Sequence, residues 1–301
     1  YLGSWKTYLV GGLRAGGKSI YALDITDPVN FSATDVKWEF NDSTDPLTPG
    51  ADMGLTFGQP QIAAVSLTQW AAIFGNGYNS ASGTAVLYII DISSGAPIAK
   101  IPVPTNSTSC GSALSTNGLS TPFAFDEDNN GVVDAIYAGD LQGHLWRFDK
   151  SSGSWDVGNG GDPLFTACSA SGQAQSIVAQ PKAARIGGKI TVYVGTGRYL
   201  QADSTDPANP LKNDLINTVV QSFYSIIDES DDPAKQGTVP RDKLLPQTIT
   251  QTNAPIGPYS ASRTVSDNKV TDPGYSDRDK GCYMDFNTTS PGEPSERITS
   301  G

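Results

Sequence analysis

The chain has few of the residues on which most catalysis and metal chelation rely. It holds one histidine, two methionines and three cysteines in 301 residues. Cys110, Cys168 and Cys282 show no CxxC spacing, which argues against a zinc site. The single His144 follows Gly143 on a short turn. A lone histidine there reads as a surface residue with no evident partner. No apolar run approaches ~18 residues, so no membrane-spanning helix is expected. Basic residues are outnumbered, 20 Lys+Arg against 31 Asp+Glu, for a net charge of −11. Nucleic acid as a partner would need clustered Lys and Arg and is disfavoured. There is no initiator Met, and Tyr1 to Val10 already reads as the middle of a domain. The chain is therefore expected to be a fragment or processed product of a longer protein. A missing signal peptide then says nothing for the cytoplasm.

Glycine and proline, at 32 and 20, are what the chain has in quantity. Ser, Thr, Asp and Asn crowd between short apolar runs, and helical periodicity is hard to find. That is the composition of an all-β protein with many turns. A repeat emerges on reading from the start. Tyr8–Gly12 is followed by Ser19–Asp24, and Ala71–Gly77 by Ala85–Asp91. Ala135–Asp140 is followed by His144–Asp149, and Thr191–Gly197 by Ser222–Asp228. In each unit an apolar strand ends in Gly and an aromatic-rich strand ends in Asp. The leading glycines, 11, 75, 139 and 195, step by 64, 64 and 56 residues. Gln59-Pro60, Thr121-Pro122 and Gln180-Pro181 precede the later units, stepping by 62 and 59. Two markers with one period predict the blades of a β-propeller. Four clear units are too few to close most propellers, so an incomplete ring is expected over 1–301. Gln201 to Thr218 reads as a loop insertion, and about 229–280 as an irregular one broken by a strand at Leu244 to Ile249; Gly281 to Phe286 reads as another strand. A last strand is expected at Glu296–Thr299.

The most informative stretch is 126–134, Asp-Glu-Asp-Asn-Asn-Gly-Val-Val-Asp. With Asp126 as position 1 of a calcium loop, side-chain oxygens fall at Asp126, Asp128, Asn130 and Asp134. The Val132 carbonyl falls at position 7 and Gly131 at the sharp turn. Asp, Asn and Gly are also common turn residues, but five matching positions favour Ca2+. Position 12 is Tyr137 rather than the Glu of an EF-hand. The flanks, Leu119 to Phe125 and Ala135 to Ala138, read as strands rather than helices. A calcium loop between two strands is expected, with Asp134 bidentate. Only this unit carries such a loop.

The three cysteines lie in Ser/Gly-rich or polar stretches, which favours disulfides. Cys110 and Cys168 each stand shortly before a Pro-marked strand of successive units. Adjacent blades would bring them to one rim, so a Cys110–Cys168 bond is expected, with Cys282 left over.

Several stretches are similar to the C-terminal propeller of the PilY/PilC family. They are Leu9 to Pro28, Phe57 to Pro60, Phe74 to Ser80, Tyr137 to Asp149, Gly195 to Leu200 and Gln221 to Tyr224. The resemblance implies a module of a type IV pilus tip adhesin and biogenesis factor in a Gram-negative bacterium. It implies a place outside the cytoplasm: the pilus tip, outer membrane or periplasm. It further implies minor pilins of the tip complex as partners, and host or surface ligands bound through an N-terminal region outside this chain. Calcium at Asp126, Asp128, Asn130, Val132 and Asp134 would balance pilus extension against retraction, and so twitching motility, attachment and virulence. Two other readings stand beside it. Gly139 to Trp146 resembles a turn-and-aromatic motif of quinoprotein propellers, so a pyrroloquinoline-quinone-type dehydrogenase is one rival. Five local ligands in a self-contained loop argue against it, because a catalytic ion needs open positions. A passive propeller with a stabilising calcium is the other. No enzyme is expected.

Overall fold

A computed structural model of the chain describes residues 5–47, 51–105, 110–111, 116–198, 219–252, 262–271, 274 and 276–286. Its strands group into successive antiparallel sheets. The first holds β1 (Tyr8–Gly12), β2 (Ile20–Asp24) and β3 (Val36–Phe40). The second holds β4 (Gln61–Ser66), β5 (Gln69–Gly75), β6 (Val86–Asp91) and β7 (Pro97–Pro102). In the third, β8 (Phe123–Phe125) pairs β9 (Ala135–Gly139), which pairs β10 (His144–Asp149). The outer edge of β10 is shared by β11 (Asp156–Val157) and β12 (Phe165–Thr166). The fourth runs β13 (Lys182–Ile186), β14 (Lys189–Gly195) and β15 (Gln221–Asp228), then two strands from beyond the repeat. Of the Gly-ended strands, β5, β9 and β14 each stand second in their sheets, and β1, the edge strand of the first, likewise pairs with the strand that follows it, as the period of about 60 residues predicts.

Burial explains why these runs are apolar on both faces. Ala72, Phe74, Val86, Tyr88 and Ile90 of the second sheet pack on Ile20, Ala22, Trp38 and Phe40 of the first. Their neighbours Ala71, Ile73, Leu87 and Ile89 pack on Ile136, Ala138, Trp146 and Phe148 of the third. Ala135, Tyr137 and Leu145 then turn to Val192, Val194, Tyr224 and Ile226 of the fourth. Every residue of β9 and β10 is therefore buried, while β2 alternates buried and half-buried. The sheets do not close on themselves, so the four blades form an open arc.

The repeating glycines and aspartates have distinct jobs. A Cβ on Gly75 would lie 2.4 Å from the Ser120 carbonyl oxygen. One on Gly139 would lie 2.0 Å from Ile177 Cγ2, and one on Gly12 2.6 Å from the Thr56 oxygen. In each case the chain entering the next blade crosses the strand end, and only glycine leaves room. The aspartate closing the second strand caps the turn that follows. Asp24 accepts from the Thr26 N–H, Asp91 from Ser93 and Ser94, Asp149 from Ser151, and Asp228 from Ser230. These are Asx turns, repeated once per blade.

Some expectations need revision. Leu119 to Phe125 is strand only at β8; Leu119 makes a single bridge to Asp140. The strands expected at Leu244 to Ile249 and Gly281 to Phe286 are present, and the stretch 229–280 is less irregular than expected beyond them. It carries β16 (Leu245–Gln247), which runs parallel to β19 (Gly281–Phe286) in the fourth sheet. It also carries a hairpin of β17 (Ile249–Thr252) and β18 (Ser262–Val265). Arg241, also within it, makes a two-point ion pair with Asp285 of β19 at 2.7 and 2.8 Å. Gln201–Thr218 and Glu296–Thr299 lie outside the described residues. Cys110 and Cys168 are disulfide-bonded, with Cα atoms 5.8 Å apart, and Cys282 is not in a disulfide.

Two stability measurements follow. Gly139→Ala should lower stability by about 3 kcal/mol, because its methyl overlaps Ile177. Gly153→Ala, at φ +93° with nothing within 4 Å, should cost only about 1 kcal/mol from its backbone alone. Equal urea midpoints would deny the crossing its role. Replacing Cys110 and Cys168 by Ser opens a loop of 58 residues and should cost about 4 kcal/mol on the chain-entropy account.

Candidate metal centre

The loop 126–134 is the β8–β9 connection of the third blade. One carboxylate oxygen from each of Asp126, Asp128 and Asp134 lies within 4.8 Å of the others. The backbone is wound to bring them together. Asn129 and Gly131 adopt φ of +61° and +88°, the left-handed region that Asn tolerates and Gly enters freely. That winding turns successive N–H groups toward the acids. Asn130 N–H donates to Asp126 Oδ1 and Asp128 Oδ1, both at 3.1 Å. Gly131 N–H donates to Asp126 Oδ2 at 2.7 Å, and Val132 N–H to Asn130 Oδ1 at 2.8 Å. Glu127 N–H donates to Asp134 Oδ2 at 2.7 Å. Desolvation raises the Asp126 carboxyl, but the N–H groups of Gly131, Asn130 and Asn129 outweigh it and hold the group below the usual carboxylate range. Each oxygen keeps a second lone pair after accepting one such bond.

The loop is pinned at its C-terminal side. Val133 is buried in the core between the second and third blades, and its N–H donates to the Ala64 carbonyl at 2.9 Å. Asp134 N–H closes the hairpin on Phe125 O at 3.0 Å. The donor set tests well against a hard divalent cation. All of it is oxygen, three donors are anionic, and the Asn130 amide and Val132 carbonyl stand in the same turn. Nitrogen or sulfur ligands, which would favour zinc or copper, are absent from it.

Two residues beside the loop were missed from sequence. Glu127 occupies a position that calcium loops leave free, and Arg147 looked like one polar residue in an aromatic strand. Arg147 pairs across the ladder with Tyr137, and its side chain is only 5% exposed. It reaches Asp228 Oδ2 at 2.8 Å, Asp149 Oδ2 at 3.0 Å, Asp231 Oδ1 at 2.5 Å and Glu127 Oε1 at 3.4 Å. Tyr137 O–H also donates to Asp228 Oδ2 at 2.6 Å. Burial raises the Asp228 carboxyl, but Arg147, Ser230 and Tyr137 bring it below the ordinary range. Burial pushes Glu127 up to about 7; Arg147 opposes this, while Asp231, Asp228 and Asp134 add to it. Glu127, Arg147, Asp149 and Asp231 border a cleft of about 510 Å³ between the third and fourth blades. The signal in the sequence was the charge itself, since an arginine amid His-Leu-Trp-Phe needs buried partners.

His144 is a correction. It is 2% exposed, not a surface residue, and its Nδ1 lies 2.9 Å from Asp140 Oδ2. The tight turn from Asp140 to Gly143 folds the ring back onto the acid. Asp140 also accepts from Asn117 Nδ2, the His144 N–H and Trp146 Nε1. Trp146, the aromatic residue of the Gly139 to Trp146 motif, is fully buried in the core.

The family model for the PilY1 β-propeller domain matches residues 1–256. The type IV pilus biogenesis factor PilY1 of Pseudomonas aeruginosa is 35% identical over 324 residues, covering 97% of this chain and 26% of the relative. A PilY1 homolog of Xylella fastidiosa is 37% identical over 269 residues, covering 85% and 17%. The chain thus spans about a quarter or less of the curated relatives it matches. The crystal structure of the Pseudomonas aeruginosa PilY1 C-terminal domain superposes with a TM-score of 0.79 at 32% identity, covering 99% of this chain and 63% of that one.

Arg147→Met should cost about 3–5 kcal/mol, because it strands buried carboxylates without their cation. Tyr137→Phe removes one hydrogen bond to a charged group and should cost about 1.5–3 kcal/mol. Urea unfolding of both variants checks the ranking, which a solvent-screened network would flatten.

Proposed function

The chain belongs to the PilY1 β-propeller family, and on that premise we propose that it is a calcium-binding, non-enzymatic module of a type IV pilus biogenesis factor. Asp126, Asp128, Asn130 and Asp134 would bind one Ca2+ through side chains and Val132 through its carbonyl. The observation that carries the reading is the convergence of three carboxylates within 4.8 Å in a loop tied to two blades. Bound calcium supplies the positive charge that holds these acids together. Without it they repel one another, and the loop loosens while the blades on either side stay packed.

The pilus assignment is supported by the relatives, which are type IV pilus biogenesis factors of the PilY1 kind. In this reading the chain works at the pilus tip or on the cell surface, with minor pilins as partners. A disulfide suits a compartment outside the cytosol, where free calcium is high enough to fill a site of modest affinity. No described helix is long and apolar enough to cross a membrane. Calcium occupancy would then bias pilus extension against retraction, and with it twitching and attachment.

Asp134→Ala removes the ligand expected to be bidentate and should abolish binding at sub-millimolar calcium. Asp134→Lys places an ammonium at the cation position and mimics a filled loop. Calorimetry on the purified chain tests the first. Surface-pilus counts and twitching, in a bacterium carrying the full-length protein, test the second. Opposite changes in pilus number support a regulatory ion. Identical counts in two variants that both fail to bind would leave calcium a structural staple.

A further inference from the structure

We infer that Glu127 and Arg147 couple the metal loop to the corner after β15, so that calcium and Asp231 compete through one guanidinium nitrogen. The inference rests on the calcium reading above and names how that site is regulated.

Arg147 carries one positive charge and faces four carboxylates. Asp149 and Asp228 end β10 and β15 and are held by the Asx turns they cap. Glu127 and Asp231 belong to loops. Both face the same atom, Arg147 Nη2, at 2.5 Å for Asp231 Oδ1 and 3.4 Å for Glu127 Oε1; Nη2 has two N–H groups, so the two acids compete for its positive charge, and repel each other as they share it, rather than for a single proton. Only the first distance is a hydrogen bond. Glu127 Oε1 is buried and has no hydrogen-bond partner. A buried anion without a donor is costly, so a shift of under an ångström that brought it to Nη2 would be favourable. Asp231 is 63% exposed, and water can replace the guanidinium there at little cost.

Glu127 is also bonded to the metal loop itself. Its N–H donates to Asp134 Oδ2, an oxygen of the residue expected to bind the ion at two points. A cation that gathers Asp134, Asp126 and Asp128 fixes the backbone on both sides of Glu127. It also cancels the repulsion that these acids exert on the Glu127 carboxylate. Both effects favour Glu127 at Nη2 and release Asp231. The corner of 229–236, which lines the cleft through Ser230, Asp231, Pro233 and Gln236, then loosens. Arg185 Nη2, 3.8 Å from Glu127 Oε2, steadies the other oxygen. Glu127 and Arg147 are positioning residues here, and neither touches the ion.

Coupling is reciprocal: if calcium weakens the Asp231 contact, removing that contact must strengthen calcium binding by the same factor. Asp231→Asn is the test, since its exposed side chain can change without unfolding the blade. Calorimetry with calcium chloride alone, at fixed pH and ionic strength, compares wild type, D231N, E127Q and the double variant. The expected result is about fivefold tighter binding in D231N, with no such gain when D231N is added to E127Q. Simple electrostatics gives the opposite sign, because deleting a nearby negative charge weakens attraction for a cation. Unchanged or weaker binding in D231N, or an equal gain in the E127Q background, overturns the coupling. Wild type that binds no calcium would instead overturn the calcium reading, and this inference with it.

Discussion

A sheet that is apolar on both faces cannot be stable alone, and in the second and third sheets each face is covered by a neighbouring blade. The third blade shows the constraint most fully. Ile136 and Ala138 pack one way, Ala135 and Tyr137 the other, and every residue of β9 and β10 is buried. Blades can approach this closely only if the connecting chain crosses the strand ends, which the glycines at 12, 75 and 139 allow. Polar side chains then fasten the same corners. Asn76 accepts from the N–H groups of Val86 in its own blade and Leu119 in the next. Asp140 repeats the device with His144 and Asn117.

The metal loop takes advantage of that rigidity. Val133 is locked into an interblade core, so Asp134 starts from a fixed point, while Asn129 and Gly131 lie on the exposed outer bend. One end of the loop is therefore set by packing, while the other lies on its exposed bend. The same blade carries Arg147, whose partners come from three connections of two blades. A buried ion-pair cluster of this kind contributes little net stability, because desolvation offsets much of the attraction. What it does supply is a fixed electrostatic link between the loop and the blade beside it.

Much of this was legible in the sequence because it is periodic or local. The Gly and Asp strand ends recur, and their spacing disclosed the blades before any contact was known. The loop residues follow one another in the chain, so their pattern could be matched position by position. Cys110 and Cys168 stood at equivalent points of neighbouring units, which made their pairing readable. The features that were missed depend on residues far apart. Arg147 meets Asp228 across 81 positions and Asp231 across 84, and neither separation leaves a local trace. His144 misled for the same reason, since its burial comes from the turn around Asp140 and the packed blade behind it. Leu244 to Ile249 and Gly281 to Phe286 were readable as strands, but the parallel pairing of β16 with β19 is long-range and left no local trace.

The central claim is that 126–134 is a calcium site. The most direct test is anomalous scattering from crystals of this chain grown with millimolar calcium. The account expects one peak inside the loop, with oxygens of Asp126, Asp128, Asn130, Val132 and Asp134 at about 2.3–2.6 Å. A loop without anomalous density under those conditions, or calcium held by other residues, would contradict it.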